Sequence, residues 1–200
     1  MRIRFAPCIF VLSALLFFSV DVRHAFSAPF STSQEFNTMQ RFRSKKDQRN
    51  RLKAIETYFM RKNPKVSPKN ISHYARLIED YSAQYNLDPF LVASVMVKES
   101  TIKEKAVSKG NYGLMQINWN ANRPWIIKTF PIRSKADLII PSNNVRIGAH
   151  ILAANIRKCK GDVDKGLDRY RGRSLASYRN SIHSHYLAIS QIFRRLQPTT

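Results

Sequence analysis

Cysteine, glycine and acidic residues are all scarce in this sequence. Two cysteines among 200 residues exclude a disulfide-rich scaffold and a cysteine-based zinc module, and six glycines exclude a collagen-like or glycine-rich repeat. Thirteen acidic residues stand against 34 lysines and arginines, which gives a formal net charge of +21. So large an excess of one sign indicates an acidic partner, which could be nucleic acid, an anionic membrane or an anionic cell-wall polymer.

Hydrophobic residues are abundant enough to build a core. They make up 44% of the chain, and aromatic residues 11%, so the chain as a whole is not intrinsically disordered. The length suits one compact domain with one or two tails. No stretch alternates apolar and polar residues repeatedly, whereas apolar residues recur at helical spacing over most of the chain. The predicted fold class is therefore mainly α.

The first 27 residues have the composition of a secretory leader. Arg2 and Arg4 precede an apolar run over residues 8–20, which is shorter than the ~20 residues that span a bilayer as a helix. Small residues at Ala25 and Ser27 predict cleavage after Ser27. We therefore expect export to the periplasm or cell envelope, with no stable membrane span after leader removal. The alternative is an uncleaved anchor.

Export makes nucleic acid an unexpected partner, and the sequence carries no nucleic-acid recognition motif. Residues 28–65 are polar and then strongly basic, with a cluster of cations from Arg41 to Lys53. This composition predicts a basic linker. The cluster is either a solvated face or an electrostatic attachment to an anionic surface. Apolar residues at helical spacing predict one short amphipathic helix within the linker: Leu52, Ile55, Tyr58 and Phe59.

Pro64 and Pro68 mark a boundary near residue 65, after which residues 66–200 form the predicted domain. Asp88 can cap a helix that begins with Pro89. A loop with short strands is expected over residues 100–120. The predicted helices cover residues 71–85, 90–99, 142–158, a short stretch ending near 170, and 175–196.

Glu99 is the residue on which the functional interpretation rests. Leu91, Val95 and Glu99 share one helical face, and the rest of that face is apolar. Burial and the negative end of the helix both raise the pKa of a carboxyl group placed there. A carboxylic acid kept neutral in an apolar pocket can act as a general acid near neutral pH. The alternative is a carboxylate at a frayed helix end that reaches water or pairs with Lys98 or Lys103.

A series of motifs that begins at Glu99 favours the general acid over the carboxylate at a frayed helix end. They read Glu99-Ser100, Ala106-Val107-Ser108, Gly113-Leu114-Met115-Gln116-Ile117-Asn118, Asn144-Val145-Arg146-Ile147-Gly148 and Arg169-Tyr170-Arg171-Gly172. This series resembles the SLT-type lytic transglycosylases of the lysozyme-like superfamily over residues 72–190. The resemblance implies a lysozyme-like α-helical domain. It also implies peptidoglycan glycan strands as substrate, and neither a cofactor nor a metal ion.

The resemblance also assigns roles to individual residues. Glu99 would be the single catalytic acid and base, and Ser100 would orient it or the substrate. Ser108 would lie close to the reacting sugar. The loop between the motifs would supply the sugar groove, with Gly113 allowing close backbone approach and Met115 and Gln116 lining it.

Three later positions complete the implied site. Asn144 would contact the substrate or the catalytic loop, and Gly148 would permit close helix packing. Tyr170 would place its hydroxyl near the Glu99 carboxyl. The sequence departs from the family pattern beside this tyrosine, because Arg171 replaces the usual asparagine and Arg169 replaces a small residue. Two added guanidinium groups could meet acidic groups of the substrate.

The implied reaction cleaves the β-1,4 bond between N-acetylmuramic acid and N-acetylglucosamine. Protonated Glu99 would donate its proton to the leaving oxygen and then accept one from the C6 hydroxyl of the muramic acid. That hydroxyl attacks C1 of its own sugar and forms a 1,6-anhydro ring, so one carboxylate suffices. The basic stretches around the other nearby acids mark them as surface charge rather than as a second catalytic group: Glu104, Asp162, Asp164 and Asp168.

Other candidate sites are weaker. His183 and His185 have a spacing that separates the two rings on a helix, which favours a surface pair over a metal site. Trp119 and Trp125 could stack on sugar rings or pack in the core. Two other functions stay open: a water-using lysozyme-like muramidase, and a non-catalytic wall-binding assembly factor. A further partner could be an envelope-spanning secretion, conjugation or flagellar complex.

Overall fold

The computed structural model describes residue 30 and residues 33–197. The predicted leader and its cleavage site lie outside the described residues. Helices dominate this part of the chain, and their bounds are α1 Gln34–Met39, α2 Gln48–Lys62, α3 Pro68–Tyr85, α4 Pro89–Ser100, α5 Trp119–Thr129, α6 Lys135–Ile139, α7 Pro141–Lys158, α8 Val163–Arg171 and α9 Ala176–Arg195. Two 3-10 turns, Gln40–Phe42 and Lys45–Asp47, connect α1 to α2.

Local sequence signals set the ends of the helices around α4. The Asp88 carboxylate accepts a hydrogen bond from the Phe90 backbone N–H at 2.8 Å, and Pro89 occupies the first helical position. Ser67 caps α3 in the same way, and α3 ends at Asn86 in the left-handed conformation. The cap at Asp88 and the helix start at Pro89 are the signals that the sequence predicted.

Helix α4 runs through the centre of the molecule. Every residue from Pro89 to Val97 is buried, because α2, α3 and α9 pack around the helix. On the other side of α3 lies α7, which in turn packs against α8. A helix that is apolar on all sides requires neighbours on all sides, and this sequence supplies them.

Three short strands join α4 to α5. They are β1 Val107–Ser108, β2 Asn111–Tyr112 and β3 Ile117–Asn118, and they pair antiparallel in the order β1-β2-β3. Tyr112 lies opposite both Val107 and Ile117. The expected loop with short strands over residues 100–120 is therefore confirmed, as is the mainly helical class.

The segment before α3 packs into the same core as the rest of the chain. Phe30 and Met39 are each 2% exposed, and Phe59 of α2 is fully buried. Helix α2 lies against α3, α4 and α9. Residues 33–62 thus pack against the helices that follow, over most of the segment where the sequence analysis expects a basic linker, residues 28–65. The apolar residues of α2 at helical spacing, together with Phe30 and Met39, supply the side chains that make these contacts.

Arg51 shows that the basic cluster is not wholly a solvated face. It is 6% exposed, and its Nε and Nη2 donate to the two carboxylate oxygens of Glu79, both at 2.8 Å. Its Nη1 donates to the backbone carbonyls of Phe42 and Ser44. One guanidinium group therefore ties α2, α3 and the 3-10 turns together. The exposed members of the cluster are Arg41, Lys45, Lys46, Arg49 and Lys53.

Within residues 33–197, no helix combines the length and the apolar character that crossing a bilayer requires.

We expect Arg51→Met to lower the free energy of unfolding by about 3–5 kcal/mol, because the Glu79 carboxylate would stay buried without its partner. Urea denaturation followed by circular dichroism measures this loss. Arg49→Met, on the same helix but exposed, is the control and should change stability by no more than about 0.5 kcal/mol. Equal losses for the two variants would contradict the structural role of Arg51.

Candidate active site

Glu99 lies in the last turn of α4, where the helix reaches the edge of the core. Its carboxylate oxygen Oε1 accepts a hydrogen bond from the Tyr178 hydroxyl at 2.5 Å. Tyr178 is 2% exposed and belongs to α9, one of the helices that enclose α4. The close packing of α4 on α9 therefore positions the carboxyl group. The frayed end considered as an alternative does not describe this side chain.

Burial raises the pKa of Glu99 above its ordinary value. The hydrogen bond from Tyr178 and the nearby charges of Arg171 and Lys98 lower the pKa in part, but desolvation is the largest effect. The pKa of the Tyr178 hydroxyl is raised by burial and by Glu99, so this hydroxyl keeps its proton and donates it in the hydrogen bond. The site thus favours a protonated, oriented carboxylic acid.

The chain turns sharply directly after Glu99 and Ser100. Thr101 and Ile102 both have positive φ angles, 51° and 61°, although neither is a glycine. Such conformations persist only where the surroundings enforce them. Here Ile102 is fully buried, and the Asn63 side chain donates a hydrogen bond to the Thr101 carbonyl at 2.8 Å. This strained turn fixes where α4 ends and where the strands begin.

An open cleft of about 480 Å³ lies in front of Glu99. Its wall comes from the strands, from α5 and α7, and from the end of α8. Among the described residues that line the cleft, Glu99 is the one carboxylate. Amide and guanidinium groups make up much of the remaining polar lining: Asn111, Asn118, Asn122, Asn155, Arg169 and Arg171. Such a surface suits a ligand rich in hydroxyl and amide groups.

One buried side chain holds the loop that forms the cleft floor. Asn144 on α7 is fully buried, and its Oδ1 accepts a hydrogen bond from the Met115 backbone N–H at 2.7 Å. Its Nδ2 donates to the carbonyls of Tyr112 and Leu138, each at 2.9 Å. The amide therefore joins β2, the following loop, α6 and α7. Of the two contacts expected for Asn144, the structure shows the one to the loop.

Two glycines allow this loop to approach α7. A Cβ atom on Gly113, whose φ is 79°, would lie 2.3 Å from the Asn144 Nδ2. A Cβ atom on Gly148 would lie 2.6 Å from the Met115 Cβ. Real side-chain carbons do not tolerate such distances, so both positions require glycine.

Comparison with known proteins agrees with this geometry. The transglycosylase SLT domain matches residues 76–190. A protein named "Transglycosylase" from Enterobacteria phage PRD1 is 38% identical over 92 residues, which are 46% of this chain and 31% of the phage protein. A "Peptidoglycan-binding-like protein" from Escherichia coli O157:H7 is 24% identical over 128 residues, covering 56% of this chain and 76% of that protein.

The chain belongs to the transglycosylase SLT domain family. The matched segment includes α4, the strands, α7 and α8, and most of α3 and α9, so it contains Glu99 and the whole cleft. The expected lysozyme-like helical domain is confirmed. The chain spans about a third of the length of the phage relative, and the matched part therefore establishes the domain rather than a complete activity.

The structure brings together only some of the residues that the motifs predicted for the SLT site. Gln116 and Tyr170 line the cleft with Glu99. The Gln116 side chain also donates to the carbonyls of Ala106 and Gly113, both at 3.0 Å, which holds the loop closed. Met115 is fully buried beneath the loop and does not line the cleft.

The contacts of three further residues of the SLT motifs are as follows. The Tyr170 hydroxyl donates a hydrogen bond to the Met115 carbonyl at 2.8 Å, and burial and the charge of nearby Glu99 raise the pKa of this hydroxyl. Ser100 donates to the Met96 carbonyl of its own helix at 3.2 Å. Ser108 is exposed on β1 and does not line the cleft.

Tyr178 is the residue of this SLT site that the sequence analysis missed. Tyr178 lies within the last predicted helix, residues 175–196, and its hydroxyl donates a hydrogen bond to the Glu99 carboxylate. The available signal was a phenol within an otherwise apolar stripe, since a buried tyrosine hydroxyl needs a hydrogen-bonding partner. Nothing in the sequence alone identifies that partner as Glu99.

The structure also shows the positions of the tryptophans and histidines that were weaker candidates for a functional site. Trp119 is buried in the core, whereas half-buried Trp125 stacks on His150, with 5.5 Å between ring centroids, at the side of the cleft. The expected surface pair of histidines is wrong, because His183 is buried and the Nδ1 of His185 lies 2.8 Å from the Tyr58 hydroxyl. No group of three or more metal-binding side chains occurs within the described part of the chain.

We expect Asn144→Ala to lower the free energy of unfolding by about 3 kcal/mol or more, because three buried backbone groups would lose their hydrogen-bonding partner. Asn143→Ala is the matched control, since the Asn143 side chain makes a single bond to the Asp137 carbonyl, and its loss should be about 1 kcal/mol. Thermal or urea unfolding of both variants measures the difference. Similar losses would show that the Asn144 amide does not hold the loop.

The raised pKa of Glu99 has a defined effect on stability. Because the folded-state pKa lies above the unfolded value, the contribution of Glu99 is fully present below the unfolded pKa and is lost as pH rises through the folded pKa. Glu99→Gln removes this titration. We therefore expect the variant to be more stable than the wild type at pH 8, with a smaller difference at pH 4.

Urea denaturation at the two pH values measures this dependence. Glu56→Gln removes the same charge from α2, away from the cleft, and serves as the control. If Glu99→Gln gave no greater gain at pH 8 than Glu56→Gln, Glu99 would not be a desolvated carboxyl group.

Proposed function

We propose that this protein is a peptidoglycan lytic transglycosylase. In this proposal, Glu99 is the single acid and base that cleaves the β-1,4 bond between N-acetylmuramic acid and N-acetylglucosamine. The observation that carries the proposal is the isolation of Glu99: it is a desolvated carboxyl group and the one carboxylate among the described residues of the cleft wall. Reactions of glycosidic bonds that use two carboxylates need a second such group nearby.

The surroundings of Glu99 suit both halves of the proposed reaction. The raised pKa favours the protonated form of the carboxyl group, which is the form that donates to the leaving oxygen. Once it is ionised, the Tyr178 hydroxyl and the Arg171 charge stabilise the carboxylate, which then accepts the proton of the C6 hydroxyl. That hydroxyl attacks C1 within the same sugar, and no water is consumed. The nucleophile is already part of the bound sugar, which provides a high effective concentration.

The relatives support the choice of substrate. The phage protein is named for transglycosylase activity, and the Escherichia coli protein is named for a likeness to peptidoglycan-binding proteins. The polar cleft, with its amides and cations, is compatible with an acetylated, acidic glycan. We propose peptidoglycan glycan strands as the substrate on these grounds.

The proposed place of action is the periplasm or cell envelope. It rests on the leader composition of residues 1–27. Cleavage there could serve general wall turnover or open a local gap for an envelope-spanning secretion, conjugation or flagellar complex. Full-length protein expressed in a bacterial host and followed by N-terminal sequencing tests the export step, because a processed product should begin at Ala28.

The decisive experiment is digestion of purified sacculi with product analysis by mass spectrometry. The wild type should release muropeptides with a 1,6-anhydro ring. We expect Glu99→Gln to reduce the rate by roughly 10²–10⁴-fold, because an amide cannot transfer the proton. Glu56→Gln is the control for the loss of one carboxylate, and it should digest sacculi at the wild-type rate.

Each other outcome points to one of the alternatives. Products with reducing ends, at a rate that depends on Glu99, would identify a water-using muramidase. If Glu99→Gln cleared sacculi as fast as the wild type, Glu99 would not be the catalytic group. Binding of sacculi without any cleavage by the wild type would favour a wall-binding assembly factor.

A further inference from the structure

Three arginines surround the end of α8 beside the cleft, and we call them the arginine rim: Arg169, Arg171 and Arg173. All three are exposed. Gly172 separates the last two and ends α8 with a φ of 83°. Arg171 lies over the Tyr178 ring, 5.8 Å from its centroid, and so next to the Glu99 site. Arg169 also lines the cleft that holds Glu99, whereas Arg173 does not.

A second hollow of about 350 Å³ continues from the main cleft. The two share Asn155, Arg169 and Gly172 in their walls. Arg173 and Ser174 line the second hollow but not the first. A group attached to a sugar in the cleft can therefore extend past Arg169 and reach Arg173.

The acidic residues close to the rim do not neutralise it. Asp168 also lines the second hollow, but its two carboxylate oxygens accept hydrogen bonds from Arg179 at 2.6 and 2.7 Å. Asp164 lies within 3.9 Å of the same guanidinium group. Arg179 thus occupies the Asp168 carboxylate with two hydrogen bonds. The charged side chains that line the second hollow are Asp168, Arg169 and Arg173, so the lining carries one net positive charge. Guanidinium groups bind carboxylates through paired, charge-assisted hydrogen bonds.

We propose that Arg169 and Arg173 bind a carboxylate of the peptide stem that peptidoglycan carries on its muramic acid. This inference rests on the proposed function, because it takes the cleft to hold the glycan strand. A glycan strand has few anionic groups of its own, whereas each stem carries carboxylates a short distance from the sugar. The arginine rim would then make the enzyme selective for strands that still bear charged stems.

The test compares three forms of the same strands. The first carries peptide stems with free carboxylates, and the second carries the same stems after the carboxylates have been converted to neutral amides. The third has lost its stems to an amidase, which leaves the lactyl carboxylate on the sugar. Cleavage is measured as kcat/KM, and binding is measured separately in the Glu99→Gln background, where no turnover removes the strands.

The variant is Arg169→Gln with Arg173→Gln, which leaves Arg171 and the Glu99 site in place. The control is Arg61→Gln with Arg76→Gln, which removes two exposed arginines from α2 and α3 that line none of these hollows. We expect the wild type to prefer free over amidated stems by about tenfold. The rim variant should lose this preference, and the control variant should keep it.

The outcomes separate this inference from the proposed function. An unchanged preference in the rim variant overturns the inference, even where anhydro products confirm the enzyme. If the rim variant lost cleavage and binding only with the strands that lack stems, the arginines would bind the lactyl carboxylate, and the inference would also be overturned. If the wild type formed no anhydro product, the proposed function would fail, while the binding ratio in the Glu99→Gln background would still decide whether the arginine rim recognises charged stems.

Discussion

The position of the loop beside Glu99 depends above all on the buried amide of Asn144, with Gln116 and Tyr170 adding hydrogen bonds to the same loop. Asn144 connects β2, α6 and the loop to α7 through three hydrogen bonds, and Gly113 and Gly148 leave the space in which these groups meet. Neither the strands nor the loop is long enough to hold a fixed shape by itself. The amide supplies the missing constraint, since a buried polar group with every bond satisfied allows one arrangement and penalises others. The loop beside Glu99 is therefore tied to α7.

The Glu99 site combines that rigid floor with a desolvated acid. Packing of α4 among α2, α3 and α9 buries the helix up to its last turn, and Tyr178 then holds the carboxyl group that emerges. The strained turn at Thr101 and Ile102 directs the chain away and leaves the carboxyl group facing the cleft. Stability and chemistry oppose each other here, because the burial that raises the pKa of Glu99 also destabilises its ionised form.

The parts of this molecule that could be predicted from sequence are those decided by neighbouring residues. Asp88 and Pro89 fix the start of α4, and the apolar face before Glu99 predicts a buried carboxyl group at the end of this helix. Interactions between distant elements could not be predicted. From the sequence, Arg51 is one more cation in a basic cluster, and its ion pair with Glu79 is known only once α2 and α3 are packed together. In the same way, the bond from Tyr178 to Glu99 is known only once α9 is packed against α4.

Phe30 packs against Tyr186 and His183, and its backbone N–H donates to Asp164, a residue 134 positions later in the chain. During synthesis, Phe30 and Phe36 leave the ribosome well before the helices that cover them. Their contacts with α8 and α9 can therefore form only after these two helices have been made, so completion of this part of the core depends on the segments that are synthesised later.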